Sequence, residues 1–254
     1  MLRTTVLVVL ALSFALPLAP AEPVVVSPCV PEPASLDPVD NTCAPIRPGA
    51  RMANGCTLNF VVTDGTDLYI GTAGHCASLG DALMVDGAPG VHGSLVFDST
   101  TRDAAFFRID AGSRGLVDPT MSRFAGPTKG PTGVNVRGAL VGELVYHYGH
   151  GVSAGSMEET RARAGPVVLG SDNPIGALRS NQFLFVSSAN GGDSGSPVRL
   201  ATGEAAGILV AAGPVLGYNP AVLFAVPFDR AMQELGVALG TTMTLVEGRP
   251  PLEP

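Results

Sequence analysis

The sequence predicts an all-β protein, built from many short strands and closed by a single C-terminal helix. Three observations carry this. The chain of 254 residues holds 32 glycines and 22 prolines, which cut it into short segments. Its apolar runs are brief and bounded by turn residues, the pattern of strands joined by hairpins in a sandwich or barrel. Only one stretch, PFDRAMQELGVAL from Pro227, has helical spacing, with Phe228, Met232, Leu235 and Val237 as its apolar positions. The length allows one large domain or two small ones with a real core. The apolar-rich, charge-poor composition excludes a disordered chain.

The first segment, MLRTTVLVVLALSFALPLAPAEP, reads as a secretory signal peptide over residues 1–21. Arg3 supplies the positive start, Val6 to Leu16 the apolar run, and Ala19-Pro20-Ala21 the small-x-small cleavage site. The run is short for a membrane span, and an uncleaved anchor is the alternative. Export predicts a secreted, extracellular protein whose four cysteines meet oxidising conditions, with three pairings open to them. Residues 22–50 are proline-rich and without periodicity, an N-terminal segment or propeptide that contains Cys29 and Cys43.

From Cys56 the texture changes. CTLNFVVTDGTDLYIGTAGHC predicts a strand, a turn at Asp64-Gly65 and a second strand through Leu68, Tyr69 and Ile70. Further strands are predicted at 81–85, 93–97 and 104–109. A loop-rich stretch at 111–133, with Pro119, Pro127 and Pro131, joins two halves. The second half repeats the texture at 134–137, 141–148, 156–163, 183–187, 197–200, 205–211 and 222–226, before the helix. Residues 241–254 are expected to be a C-terminal tail. The formal net charge is -7 and no basic run is present, which excludes a nucleic-acid partner. No second long apolar segment follows the leader, so no stable membrane association is expected after signal cleavage, and the expected state is a monomer.

The stretch ANGGDSGSPV, residues 189–198, poses the functional question. A cluster of glycine, serine and aspartate is by itself an ordinary turn. His75 beside a turn and Asp103 at the mouth of an apolar strand are likewise ordinary when taken singly. Together the three residues are not. A serine hydroxyl attacks at neutral pH only with a base in hydrogen-bond reach, and that base needs a carboxylate on its other ring nitrogen. The chain order His75, Asp103, Ser194 is that of the chymotrypsin-type barrels, and GGDSG lacks the G-x-S-x-G elbow of the α/β-hydrolases.

The blocks GTAGHC, DAAFFRI and GDSGSPV resemble the three active-site blocks of secreted chymotrypsin-like (trypsin-like) serine proteases, most of all the bacterial type. The resemblance covers roughly residues 52 to 240, within a domain set at 51–240. It implies two six-stranded antiparallel β-barrels with a C-terminal helix. His75 and Asp103 would come from the first barrel and Ser194 from the second. It implies a serine endopeptidase acting on polypeptide substrates through an acyl-enzyme, with an oxyanion hole from the N–H groups of Gly192 and Ser194. It also implies a Cys56–Cys76 disulfide, which leaves Cys29–Cys43 as the second pair. The position of the pocket floor in this family falls on Ser188. Without charge, it disfavours lysine or arginine before the cut. The wall segment 207–213 carries no histidine, which disfavours a glutamate-specific pocket.

Some features depart from that family. The Ile-Val-Gly-Gly start, whose freed amine commonly pairs with the aspartate before the serine, is missing, so the partner of Asp193 is left open. Ser196 stands where glycine is commoner. His147 and His150 have no evident third ligand, so no metal is predicted, and no cofactor. The alternative function is a catalytically inactive homologue that binds protein outside the cell.

Overall fold

The computed structural model describes residues 45–77, 82–151, 162–172, 182–215 and 218–250. The leader, the disulfide expected between Cys29 and Cys43, and most of the proline-rich segment lie outside the described residues.

In the first half, β1 (Val61–Thr63) and β2 (Leu68–Ala73) form the expected hairpin around Asp64-Gly65, with Val62 opposite Tyr69. Asp64 builds the turn itself. Its Oδ1 accepts from the N–H groups of Thr66 and Asp67, and its Oδ2 accepts from the hydroxyl of Tyr69. β3 (Ala82–Val85), β4 (Ala88–Ser99) and β5 (Ala104–Ile109) follow. Thr244–Leu245, inside the segment expected to be a tail, forms the short β12 and pairs with β1. The sheet order is β12-β1-β2-β5-β4-β3.

This half corrects the expectation of two barrels: the sheet is open, because its edge strands β12 and β3 do not pair. The free edge of β3 is met by residues 51–53 through an isolated bridge, Met52 to Val85, flanked by Ala53 N–H to Met84 O at 3.0 Å and Asp86 N–H to Arg51 O at 2.9 Å. That chain turns at Pro48-Gly49 and again at Gly55, so it touches the edge without continuing the ladder. At the other edge, β12 has two residues, too few to carry pairing onward.

The second half is a closed barrel, in the order β10-β11-β8-β7-β6-β9. Its strands are β6 (Leu144–Tyr148), β7 (Ala162–Leu169), β8 (Phe183–Ser187), β9 (Pro197–Leu200), β10 (Ala205–Val215) and β11 (Tyr218–Pro227). The strand expected at 134–137 is instead one bridge, Val136 to Ala205. Most of the 156–163 expectation lies outside the described residues, and β7 begins at Ala162.

Helix α1 (Phe228–Leu239) starts after Pro227 and stops at Gly240, which takes the left-handed φ of 68° that glycine tolerates at a helix end. It buries Phe228, Ala231 and Leu235. Val237 is 78% exposed, contrary to its assignment to the apolar face. Nine residues after Phe228, at about 100° each, it stands half a turn away. Phe228 meets Phe60 edge-on at 5.2 Å and Phe106 at 6.2 Å. The core cluster containing these rings also holds Ile208 and Val226 of the barrel, so it packs the two halves together.

Candidate active site

β2 ends in a short 3-10 turn, Gly74–Cys76, that carries His75. Asp103 precedes β5 with φ at +58°, a left-handed conformation that aspartate adopts more readily than most residues. β2 and β5 pair side by side, Ala73 opposite Ala104, so the ends of both strands coincide. The result is a two-point clamp. Asp103 Oδ1 accepts the backbone N–H of His75 at 2.7 Å, and His75 Nδ1 lies 2.9 Å from Oδ2 and 3.0 Å from Oδ1. A carboxylate only accepts, so Nδ1 carries the proton and Nε2 is the basic nitrogen. The imidazole is 47% exposed and the carboxylate 14%, an arrangement that opens the base to a reactant and shelters its partner. Asp98, on neighbouring β4, is held above the usual carboxylate range by burial and by the negative charge of Asp103.

Ser194 lies in the loop between β8 and β9, half-buried. Residues just before β1 hold this loop. Thr57 N–H donates to Ser194 O at 2.9 Å, Thr57 Oγ1 donates to Gly192 O at 2.8 Å, and the buried Asn59 donates from Nδ2 to Gly195 O at 2.8 Å and Ser196 O at 3.0 Å. Gly195 is required by contact: with φ at +92°, an added Cβ would fall 2.0 Å from Thr57 O. Gly192 takes φ at +103° for the same turn. The Cys56–Cys76 disulfide is present, and Cys76 Sγ lies 3.9 Å from Ser194 O, which sets the residue after His75 against the serine loop. Ligand atoms of Cys56, His75 and Cys76 lie within 4.8 Å of one another, but the two sulfurs are bonded together and offer no thiolate to a metal.

Asp193 has a partner that the sequence left open. Arg163 of β7 grips it with two prongs, Nη2 to Oδ1 at 2.6 Å and Nη1 to Oδ2 at 2.7 Å. Asp193 also accepts the N–H groups of Gly151 at 2.7 Å and Asn190 at 2.8 Å. Burial pushes this carboxyl up, and the hydrogen bonds and charge of Arg163 outweigh burial and hold it below its usual range. Arg163 further donates to Ser188 O at 3.0 Å and Gly149 O at 3.2 Å. Three contributors were missed by the sequence reading: Thr57, Asn59 and Arg163. A single signal marked one of them, an arginine inside the otherwise apolar strand ARAGPVVL.

Among the described residues no helix is long and apolar enough to cross a membrane. No protein-family profile matches the sequence, and no curated protein sequence matches it. Solved structures do match. A glutamic-acid-specific serine protease that uses a histidine triad in substrate binding superposes with a TM-score of 0.60 at 20% identity, covering 79% of this chain and 100% of its own. Thermobifida fusca protease A superposes at 0.56 with 22% identity, covering 80% and 99%. Cellulomonas bogoriensis chymotrypsin superposes at 0.54 with 21% identity, covering 79% and 98%. The chain therefore has the fold of the bacterial chymotrypsin-like serine proteases.

Proposed function

We propose that the protein is a secreted serine endopeptidase, with Ser194 as nucleophile, His75 as general base and acid, and Asp103 as the residue that orients His75. The observation that carries this reading is the His75–Asp103 clamp, held against the Ser194 loop in a fold whose solved relatives include serine proteases. With its proton on Nδ1, His75 would take the hydroxyl proton on Nε2 as Ser194 Oγ attacks a peptide carbonyl. The developing oxyanion would be met by the N–H groups of Gly192 and Ser194; among the described residues, neither N–H has an acceptor of its own. His75 then returns the proton to the leaving amine. Water, activated at the same nitrogen, releases the acyl group.

Ser188 is the proposed pocket floor. The cation beside it, Arg163, is already neutralised by Asp193, so the corner offers no net charge to a charged side chain. Uncharged, apolar residues before the cut are the proposed preference. Glutamate specificity is not carried over from the similar structure, since residues 207–213 hold no histidine.

Labelling with a fluorophosphonate followed by peptide mapping tests the reading. The expected result is a single adduct on Ser194, abolished in Ser194→Ala. A folded protein that neither labels nor cleaves peptides would overturn it in favour of an inactive, protein-binding homologue.

A further inference from the structure

The barrel holds one histidine that the proposed reaction leaves unused. His147 of β6 is fully buried, opposite Arg163 of β7 and Val198 of β9, with its ring edge-on to Phe185 at 5.5 Å. Its Nε2 lies 3.1 Å from Ser187 Oγ, and that hydroxyl also reaches Ala164 O at 3.2 Å. A carbonyl only accepts, so the one hydroxyl proton goes to Ala164 and His147 must donate from Nε2. Its Nδ1 is left as a buried atom without a partner. An unpaired buried acceptor is destabilising, and an apolar side chain packed on Phe185 would avoid it. Packing alone therefore does not account for histidine here. What an apolar residue cannot supply is the donor to Ser187.

Ser187 precedes Ser188, and both are fastened. His147 and Ala164 hold the hydroxyl of Ser187, while Arg163 holds the carbonyl of Ser188 and reaches on to Asp193, the neighbour of Ser194. We infer that His147 is a positioning residue: through its Nε2–H donor to Ser187 it fixes the Ser187–Ser188 corner, and so the pocket floor presented to the substrate residue before the cut. The functional half of this inference rests on the endopeptidase reading; the rigidity of the corner does not.

The test compares His147→Leu, which removes the donor, with His147→Gln, whose amide places an N–H near the position of Nε2. In the leucine variant KM for peptide substrates should rise about tenfold, the worth of one hydrogen bond, with kcat little changed. Labelling of Ser194 by a small fluorophosphonate that does not fill the pocket should be unaffected. The glutamine variant should restore KM. Hydrogen exchange should quicken in the 182–190 peptide of the leucine variant and stay unchanged in Ala104–Ile109. Native KM and selectivity in His147→Leu, equal impairment of both variants, or unaltered exchange at 182–190 would each overturn the inference. If the wild type neither labels nor cleaves, the endopeptidase reading falls, and exchange at 182–190 still decides whether His147 holds the corner.

Discussion

Arg163 and Asp193 form a buried two-pronged ion pair, 9% and 2% exposed in their side chains, that ties β7 to the residue before Ser194. It joins a strand to the loop whose shape sets the proposed oxyanion hole. Removing one partner leaves the other charge buried and alone. Arg163→Met should therefore cost about 3–5 kcal/mol of stability. It should also slow Ser194 labelling, because Asp193 no longer anchors the loop. The double variant Arg163→Met, Asp193→Asn should recover part of the stability but not the labelling rate. Urea unfolding of the three proteins checks the first claim, and timed labelling the second.

Ser194→Ala should unfold at the same denaturant concentration as the wild type, since the loop is held through main-chain oxygens. It should have lost peptidase activity by many orders of magnitude. Undiminished cleavage by this variant would end the proposed mechanism.

Asp103→Asn keeps the shape of the clamp but presents His75 with a group that can donate as well as accept. The imidazole is then free to carry its proton on the wrong nitrogen. Turnover should fall on the order of 10⁴-fold, with KM little altered. Near-normal turnover would point to another acid, and Asp98 on β4 is the neighbour to test next.

The Cys56–Cys76 disulfide closes a loop with a sequence separation of 20. By loop-closure entropy it is worth about 3 kcal/mol. Because Cys76 adjoins His75 and touches the Ser194 loop, the double serine variant should lose stability and turnover together. Unfolding midpoints and peptide hydrolysis measured on the same preparations check this; full turnover in a destabilised variant would separate the two.

Burial, and then the positive charge of Arg163, push His147 down to about 3, with Asp193 pulling the other way. The groups facing it are Arg163 from β7, Ser187 and Phe185 from β8, Val198 from β9, and Asp193 from the serine loop. In the unfolded chain the histidine takes up a proton near its ordinary pKa, while in the folded barrel it stays neutral. Its contribution to stability is therefore complete above about pH 6.5 and is lost as pH falls toward 3, at up to about 1.4 kcal/mol per pH unit. Asp193, held low, keeps its own contribution until the pH falls below the usual carboxylate range. Thermal unfolding followed from pH 7 to 4.5 should show a falling Tm in the wild type and a flatter line in His147→Leu. Parallel lines would remove His147 as the cause.

How much of this was written in the sequence depends on how far apart the interacting residues lie. The hairpin of β1 and β2, the strands at 183–187 and 197–200, and the start of α1 after Pro227 follow from local alternation and turn residues. The three blocks around His75, Asp103 and Ser194 could be read from their residue types and their order. Tertiary structure decided what strand neighbours contribute to one another. Arg163 became the partner of Asp193 because β7 and β6 lie side by side in the barrel and bring its guanidinium to the serine loop. His147 donates from Nε2 only because it meets the hydroxyl of Ser187, whose own proton goes to Ala164 O. The open sheet was invisible for the same reason: closure depends on whether β3 at 82–85 meets β12 at 244–245, and no local pattern reports on edges that far apart in the chain. Periodicity records how each residue meets its own surroundings, whereas pairing across strands is a property of the assembled fold.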